Sequence, residues 1–219
     1  MSKKVHWNKL YEREGYRFGK EPLPLLKSQM HRFRKGKALE LAMGEGRNAV
    51  YLAKEGFQVQ GFDVSDIAIE KAKKLAYDND VSIDAKVADL DLYIFPLMAF
   101  DVIVMSYFKP VPRYYNEIFR ALAQGGCVVI ENYTTDQLHQ KPIEGLRNED
   151  YFYPNEILKN LKDLQILFYN EDEINGKHVV QCIAKKPTDK DAVKYGFAKE
   201  DINPTQSKYK AAEDLFKKK

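Results

Sequence analysis

The sequence is poor in cysteine, histidine and tryptophan, with two, four and one in 219 residues. Cys127 and Cys182 lie in separate apolar runs without metal-ligand spacing, so both read as reduced, buried thiols and no metal is expected. No stretch approaches the roughly 18 apolar residues of a membrane span, and no membrane partner is expected. The opening MSKKVHWNKLYEREGYRFGKEP lacks the apolar core of a secretory leader. The expected location is cytoplasmic. Internal repeats are absent, and so is any nucleic-acid-binding motif.

What is present is the composition of a folded chain, 44% hydrophobic and 31% charged. Its length suits one core of ordinary size rather than two full domains. The net charge of +3 is unevenly spread: residues 1–37 carry eleven Lys and Arg against three acids. A basic arm of this kind suits either an anionic partner or a solvated face beside a ligand cleft. With no accompanying motif, nucleic acid is disfavoured as a partner.

From Lys37 onward two kinds of segment alternate. Strand patterns cover Ala38–Ala42, Phe57–Phe62, Val81–Val87, Phe100–Met105 and Cys127–Tyr133. Helical patterns fall between them, at Asn48–Lys54, after the capping Ser65, and from Pro112 to Leu122. Gly125–Gly126 reads as a turn. Thr134–Tyr153 is polar and without period, a length of loop that tends to be functional. Two β-rich runs split by Asn175–Gly176 form a hairpin. Before Lys37, Trp7, Leu10 and Tyr11 share a helical spacing, and Leu25–Arg34 reads as a short helix. The tail from Pro187 is polar and Lys-rich, with a helical stretch at Ser207–Lys218. Alternation followed by a hairpin implies an α/β, Rossmann-like sandwich around a mostly parallel sheet, with the ligand at the carboxyl ends of the strands.

The centre of the pattern is LELAMGEGRNAVYLAKEGFQVQGFD, from Leu39 to Asp63. Gly44-x-Gly46-x-x-Ala49 matches a dinucleotide fingerprint, a weak signal alone. Glu40 before the turn and Glu45 inside it disfavour a pyrophosphate and suit a cation. S-adenosylmethionine is such a ligand, with a sulfonium and an ammonium. Asp63, ending the second strand, suits ribose hydroxyls. Asp89, after the third, suits the adenine amino group.

ELAMGEGRN, FDVSDIAIEKA, VADL, FDVIVMSYF and ALAQGGCVVIENY resemble the successive motifs of class I S-adenosylmethionine-dependent methyltransferases. YRFGKEPLPLL, GEGRNAVYLAKEGF and YFYPNEIL resemble the tellurite-resistance and thiopurine-type small-molecule members. The resemblance covers about Trp7 to Pro187. It implies a seven-stranded sheet of order 3-2-1-4-5-7-6 with the last strand antiparallel. The chain is expected to divide into a helical lid segment over residues 1–36, a cofactor domain over 37–187, and a tail over 188–219 that lies outside the resemblance. Carried over by position, the cofactor residues are Glu40, Ala42, Gly44, Gly46, Asn48, Asp63, Val64, Asp89, Leu90, Met105 and Ser106. Tyr16 and Phe18 match the aromatic lid. Ala42 stands where many members have glycine, and SYFKPVPRYY lacks the histidine of some relatives.

The function implied is methyl transfer to a small molecule, with S-adenosylhomocysteine as product. A soft nucleophile such as a thiol, selenium or tellurium species needs little base. Arg17, Tyr107, Lys109 and Tyr133 are the acceptor-side candidates, with Arg113 and His139 as further candidates. His6 reads as surface or structural. The remaining readings are a non-catalytic cofactor-binding protein, a protein or RNA methyltransferase using the basic arm, and a dehydrogenase. The chain is expected to act as a monomer or homodimer.

Overall fold

The computed structural model of the chain describes residues 2–188. The expected helix at Ser207–Lys218 lies outside them. Two units are distinguished, one running to Lys186 and the next from Pro187. The first 36 residues therefore belong to the same unit as the sheet.

Helices α1 (Lys3–Tyr11) and α2 (Pro24–Ser28) precede the sheet. Then follow β1 (Lys37–Leu41), α3 (Arg47–Lys54), β2 (Gln58–Asp63), α4 (Asp66–Tyr77), β3 (Asp84–Val87), β4 (Phe100–Ser106), α5 (Arg113–Ala121) and β5 (Leu122–Tyr133). The chain continues through α6 (Thr135–Gln140), α7 (Glu156–Asn160), β6 (Gln165–Ile174) and β7 (Lys177–Lys185). The seven strands lie in the order β3-β2-β1-β4-β5-β7-β6. β7 runs antiparallel to both β5 and β6 while the other pairs are parallel, which is the expected topology.

Side-chain alternation sorts the central strands into two buried faces. Val102 and Val104 of β4 point with Ala38 and Val129 toward Leu52 of α3 and Ile69 of α4. Ile103 and Met105 point with Leu39 and Val128 toward Ile118 of α5 and Ile157 of α7. Both faces are covered, hence the unbroken apolar run of β4. The crossovers through α3 and α4 lie on one face and that through α5 on the other. The sheet therefore switches direction between β1 and β4, which are neighbours. A crevice opens at the carboxyl ends of such a pair.

Three elements depart from the sequence reading. Thr134–Tyr153, read as a loop, begins with α6. Gly125 and Gly126 do not turn the chain; they lie inside β5, where the register with β4 shifts between Phe100 and Val102. The expected helix Leu25–Arg34 stops at Ser28 and continues as a tight turn over Met30–Arg32.

Gly46 caps α3 with φ +85°, and a Cβ there would lie 2.7 Å from the Ala72 Cβ of α4. Gly46→Ala should therefore destabilise the fold by about 1–2 kcal/mol through its left-handed backbone. Crowding adds about 1–3 kcal/mol. Urea unfolding monitored by circular dichroism checks this, and an unchanged midpoint would contradict the assigned packing.

Candidate active site

At the end of β1 the chain turns sharply through Ala42, whose φ of 52° is unusual for a residue with a side chain. That geometry accounts for the glycine favoured at this position in the sequences it resembles. The Met43 amide donates to the Phe62 carbonyl, and the Gly44 amide donates to Asp63 Oδ2 at 2.8 Å. The loop is thus fastened to the end of β2. A Cβ on Gly44 would sit 2.9 Å from the Tyr11 hydroxyl, so α1 lies directly over the loop.

Three acids surround this turn, in different states. Asp63 accepts from the Gly44 and Ser65 amides, yet burial raises its pKa to about 6. Glu40 is fully enclosed, and burial raises it to about 7 against the hydrogen bond from Asn48 Nδ2. Its Oε2 has no partner. Glu45 is engaged within the protein: it accepts from Lys71 Nζ at 3.0 Å and from the Arg17 amide at 2.7 Å. The expectation that Glu45 offers its charge to a ligand is corrected by this pairing, because Lys71 neutralises it in place.

A cavity of about 430 Å³ lies above these groups. Ala42, Gly44, Asp63, Val64, Asp89, Leu90 and Ser106 line it, as do Phe18, Tyr107, Lys109 and Tyr133. The topology explains this gathering, since each follows a strand end or belongs to the covering N-terminal segment. Lys109 is tied down, however, with Nζ donating to the Tyr151 carbonyl and to Glu156 at 2.7 Å. Its charge is directed away from the cavity.

Other expected site residues are not in the wall. Tyr16 packs beside Val50 and Leu75 and donates to the Lys71 carbonyl, so Phe18 alone of the two lid aromatics faces the cavity. Met105 is a core residue, because the pleat turns it to the α5 side. Gly46 serves the α3–α4 contact. Glu40 and Asn48 form a layer beneath the wall. Arg17 is buried along its side chain and bonds Glu144 through Nη2 at 2.9 Å, while Nε and Nη1 have no partner. Arg113 and His139 are likewise outside the lining, Arg113 donating to the Asp91 carbonyl.

The sequence reading missed part of the cover. His6, Trp7 and Tyr11 of α1 line the cavity, with Arg47 and residues 143–147. The His6 ring is 3.0 Å from the Gly145 carbonyl, so this histidine belongs to the site rather than to an outer surface. Trp7 and Tyr11 had shown a helical spacing, but nothing in that spacing says what a helix covers. Tyr107 adopts φ 53°, donates its hydroxyl to Glu131 Oε1 at 2.6 Å, and stacks near Tyr133 with ring centres 4.7 Å apart. Burial, followed by the Glu131 charge, pushes its pKa well above the ordinary phenol value.

Residues 38–126 match the methyltransferase domain family. Over those residues the chain is similar to methyltransferase domains, and its sheet has their fold. In curated sequence, it is 39% identical over 74 residues to a 23S rRNA (uracil(747)-C(5))-methyltransferase of Pyrococcus horikoshii. That match covers 32% of this chain and 18% of the relative. The chain spans about a fifth of the length of the curated relatives it matches. Among solved structures it superimposes on TehB from Haemophilus influenzae with a TM-score of 0.63 and 21% identity, covering 84% of this chain and 67% of TehB. An S-adenosylmethionine-dependent methyltransferase from Methanosarcina mazei gives 0.61 and 21%, covering 77% and 100%. These likenesses are of fold. Among the described residues no cluster of three or more His, Cys, Asp or Glu is arranged to hold a metal, and no helix is long and apolar enough to cross a membrane.

The site fits S-adenosylmethionine, the cofactor of the methyltransferases it resembles, on one count: the buried Glu40 Oε2 lacks a hydrogen-bond donor. Its buried acids also set a pH dependence. Glu40 and Asp63 hold protons more tightly folded than unfolded, so their stabilisation is complete below about pH 4 and is lost as pH rises through about 6 and 7. Ligand-free protein should therefore lose urea stability between pH 5 and about pH 8. Glu40→Gln should flatten the upper part of that decline. A decline of equal size in the variant would show that Glu40 is not its source.

Proposed function

We propose that this domain transfers a methyl group from S-adenosylmethionine to a small-molecule acceptor. S-adenosylmethionine supplies, when bound, a methyl group activated on a positively charged sulfur. Asp63 would receive the ribose hydroxyls. An ionised carboxylate offers about four acceptor positions, and the Gly44 and Ser65 amides use two. Asp89 and Leu90 would flank the adenine, and the Ala42–Gly44 turn the methionine end. Glu40, steadied by Asn48, would favour the ammonium from beneath.

The observation that carries the small-acceptor reading is the cover. α1 and residues 143–147 meet over the cavity through His6 and the Gly145 carbonyl, leaving about 430 Å³. That suits drug-sized ligands. For a soft nucleophile, orientation and desolvation suffice; a hydroxyl or amine must also lose its proton.

The curated RNA methyltransferase relatives favour a second reading, in which the basic arm meets RNA. Much of that arm has acidic partners within the fold: Lys3 with Asp91, Lys4 with Asp66, Arg13 and Arg17 with Glu144, and Arg34 with Asp101. Those pairs leave less charge for phosphates. Fluorescence anisotropy with short RNAs across a salt series decides the matter. RNA binding that weakens steeply with salt would favour this second reading.

Calorimetry with S-adenosylmethionine tests the first. Asp63→Asn should weaken binding by about tenfold to a hundredfold, since hydrogen bonds to a charged group are worth about 1.5–3 kcal/mol. Release of S-adenosylhomocysteine with a panel of small acceptors should accompany binding in the wild type. Binding without turnover on any of them would leave a cofactor-binding protein.

A further inference from the structure

We propose that Tyr107 and Glu131 together take a proton from the acceptor, which assigns the acceptor to compounds bearing an aromatic hydroxyl or amine. This rests on the methyltransferase function proposed for the cavity and names its substrate class.

Tyr107 is the first residue beyond β4 and lies in the cavity wall next to Ser106. Its left-handed backbone is costly for a residue with a side chain, and such strain persists where surrounding contacts impose it. Two of those contacts come from Glu131. The Tyr107 amide donates to the Glu131 carbonyl at 2.7 Å, and the Tyr107 hydroxyl donates to Glu131 Oε1 at 2.6 Å. Glu131 is 5% exposed, and Gln181 Nε2 holds its other oxygen at 2.7 Å. The carboxylate is thus fixed by β7 on one side and by the phenol on the other.

A phenol whose hydrogen points inward presents only lone pairs outward. The wall therefore offers an acceptor of hydrogen bonds, backed by a carboxylate that can receive the phenol's own proton. A thiolate or tellurium oxyanion has no hydrogen to give to it. A hydroxyl or amine does. The rings of Trp7, Phe108 and Tyr133 in the same wall suit a planar acceptor. Arg47, 5.9 Å from the centre of the Tyr107 ring, is the cation nearest to it from α3 and favours transient negative charge on the phenol oxygen.

The exchange balances. The acceptor's proton passes to Tyr107 Oη while the Tyr107 proton passes to Glu131 Oε1. The acceptor lone pair so freed forms the bond to the methyl carbon, and the carbon–sulfur bond breaks with its electron pair staying on sulfur. Glu131 is left neutral and returns its proton to solvent by the same route. Tyr107 touches the acceptor; Glu131 acts through Tyr107.

The test compares wild type, Glu131→Gln and Tyr107→Phe on a series of phenols and anilines of stepped acidity, with a thiophenol already ionised at the assay pH. General-base help is worth about 10²–10⁴-fold. The variants should lose about a hundredfold or more on un-ionised phenols and little on the thiophenolate, so that rate depends more steeply on acceptor acidity. Affinity for S-adenosylmethionine, measured by calorimetry, should stay as in wild type. Equal losses across the series would overturn the proposal and leave the methyltransferase function standing. So would a wild type that methylates the thiophenolate and no phenol or aniline. Donor binding with no transfer to any probe would overturn both. Should Glu131→Gln fail to fold, Tyr107→Phe, which keeps the ring stacked on Tyr133, carries the comparison.

Discussion

The site depends on a carboxyl group that the fold keeps away from water. Glu40, one residue before the end of β1, is fully buried, and its companion is Asn48 of α3. Asn48 Nδ2 donates to Glu40 and also reaches Ser106 Oγ at 3.1 Å, while Asn48 Oδ1 accepts from the Leu23 amide at 2.9 Å. One amide side chain thereby joins β1, the end of β4 and the approach to α2. Burying an acid is costly unless it is bonded or neutral. Here the cost is met partly by Asn48 and partly by the shift in protonation. The result is a hydrogen-bonded floor whose carboxyl titrates well above the ordinary carboxylate range.

The roof is built on different terms. α1 is anchored to α4 by Asn8, which donates to Asp66 and accepts from Ser65. Lys71 fastens the following turn, donating to the carbonyls of Tyr11, Arg13 and Gly15 as well as to Glu45. Across the cavity the ties are fewer and wetter. The Lys3–Asp91 pair is about half exposed, and Glu144 is 68% exposed where Arg17 meets it. Exposed ion pairs contribute at most about 1 kcal/mol each. The floor and the α4 side of the roof are therefore held by more buried bonds than the side facing residues 143–147.

The acceptor wall shows why residue type alone misleads. Lys109 and Arg17 were candidates because cations suit anionic substrates, but Glu156 and Glu144 occupy them. Tyr107 was an acceptor-side candidate, and its distinguishing feature is the bond to Glu131. Glu131 lies two residues before the end of β5, where a carboxylate could pair within the sheet or face the cavity. In the structure it bonds across the sheet to Gln181 and forward to a cavity residue.

The sequence by itself determined the architecture and the place of the glycine turn in it. Alternation with period two or none marks β1 to β5, the glycine turn and the acids at strand ends fall at fixed offsets from them, and right-handed crossovers leave one choice of crevice. These are local patterns, so Gly44, Asp63 and Asp89 could be placed by reading along the chain. Only the tertiary structure decided which of the gathered groups face the cavity. Tyr16 and Phe18 are two residues apart and separate to opposite sides of a turn; His6 and Tyr11 reach the cavity only because α1 docks on α4. Lys71, Glu144 and Glu156 each neutralise a charge that the sequence presents as available. Pairings across 26 to 127 positions leave no periodic trace, because they are fixed by where packed elements meet rather than by the order of residues within them.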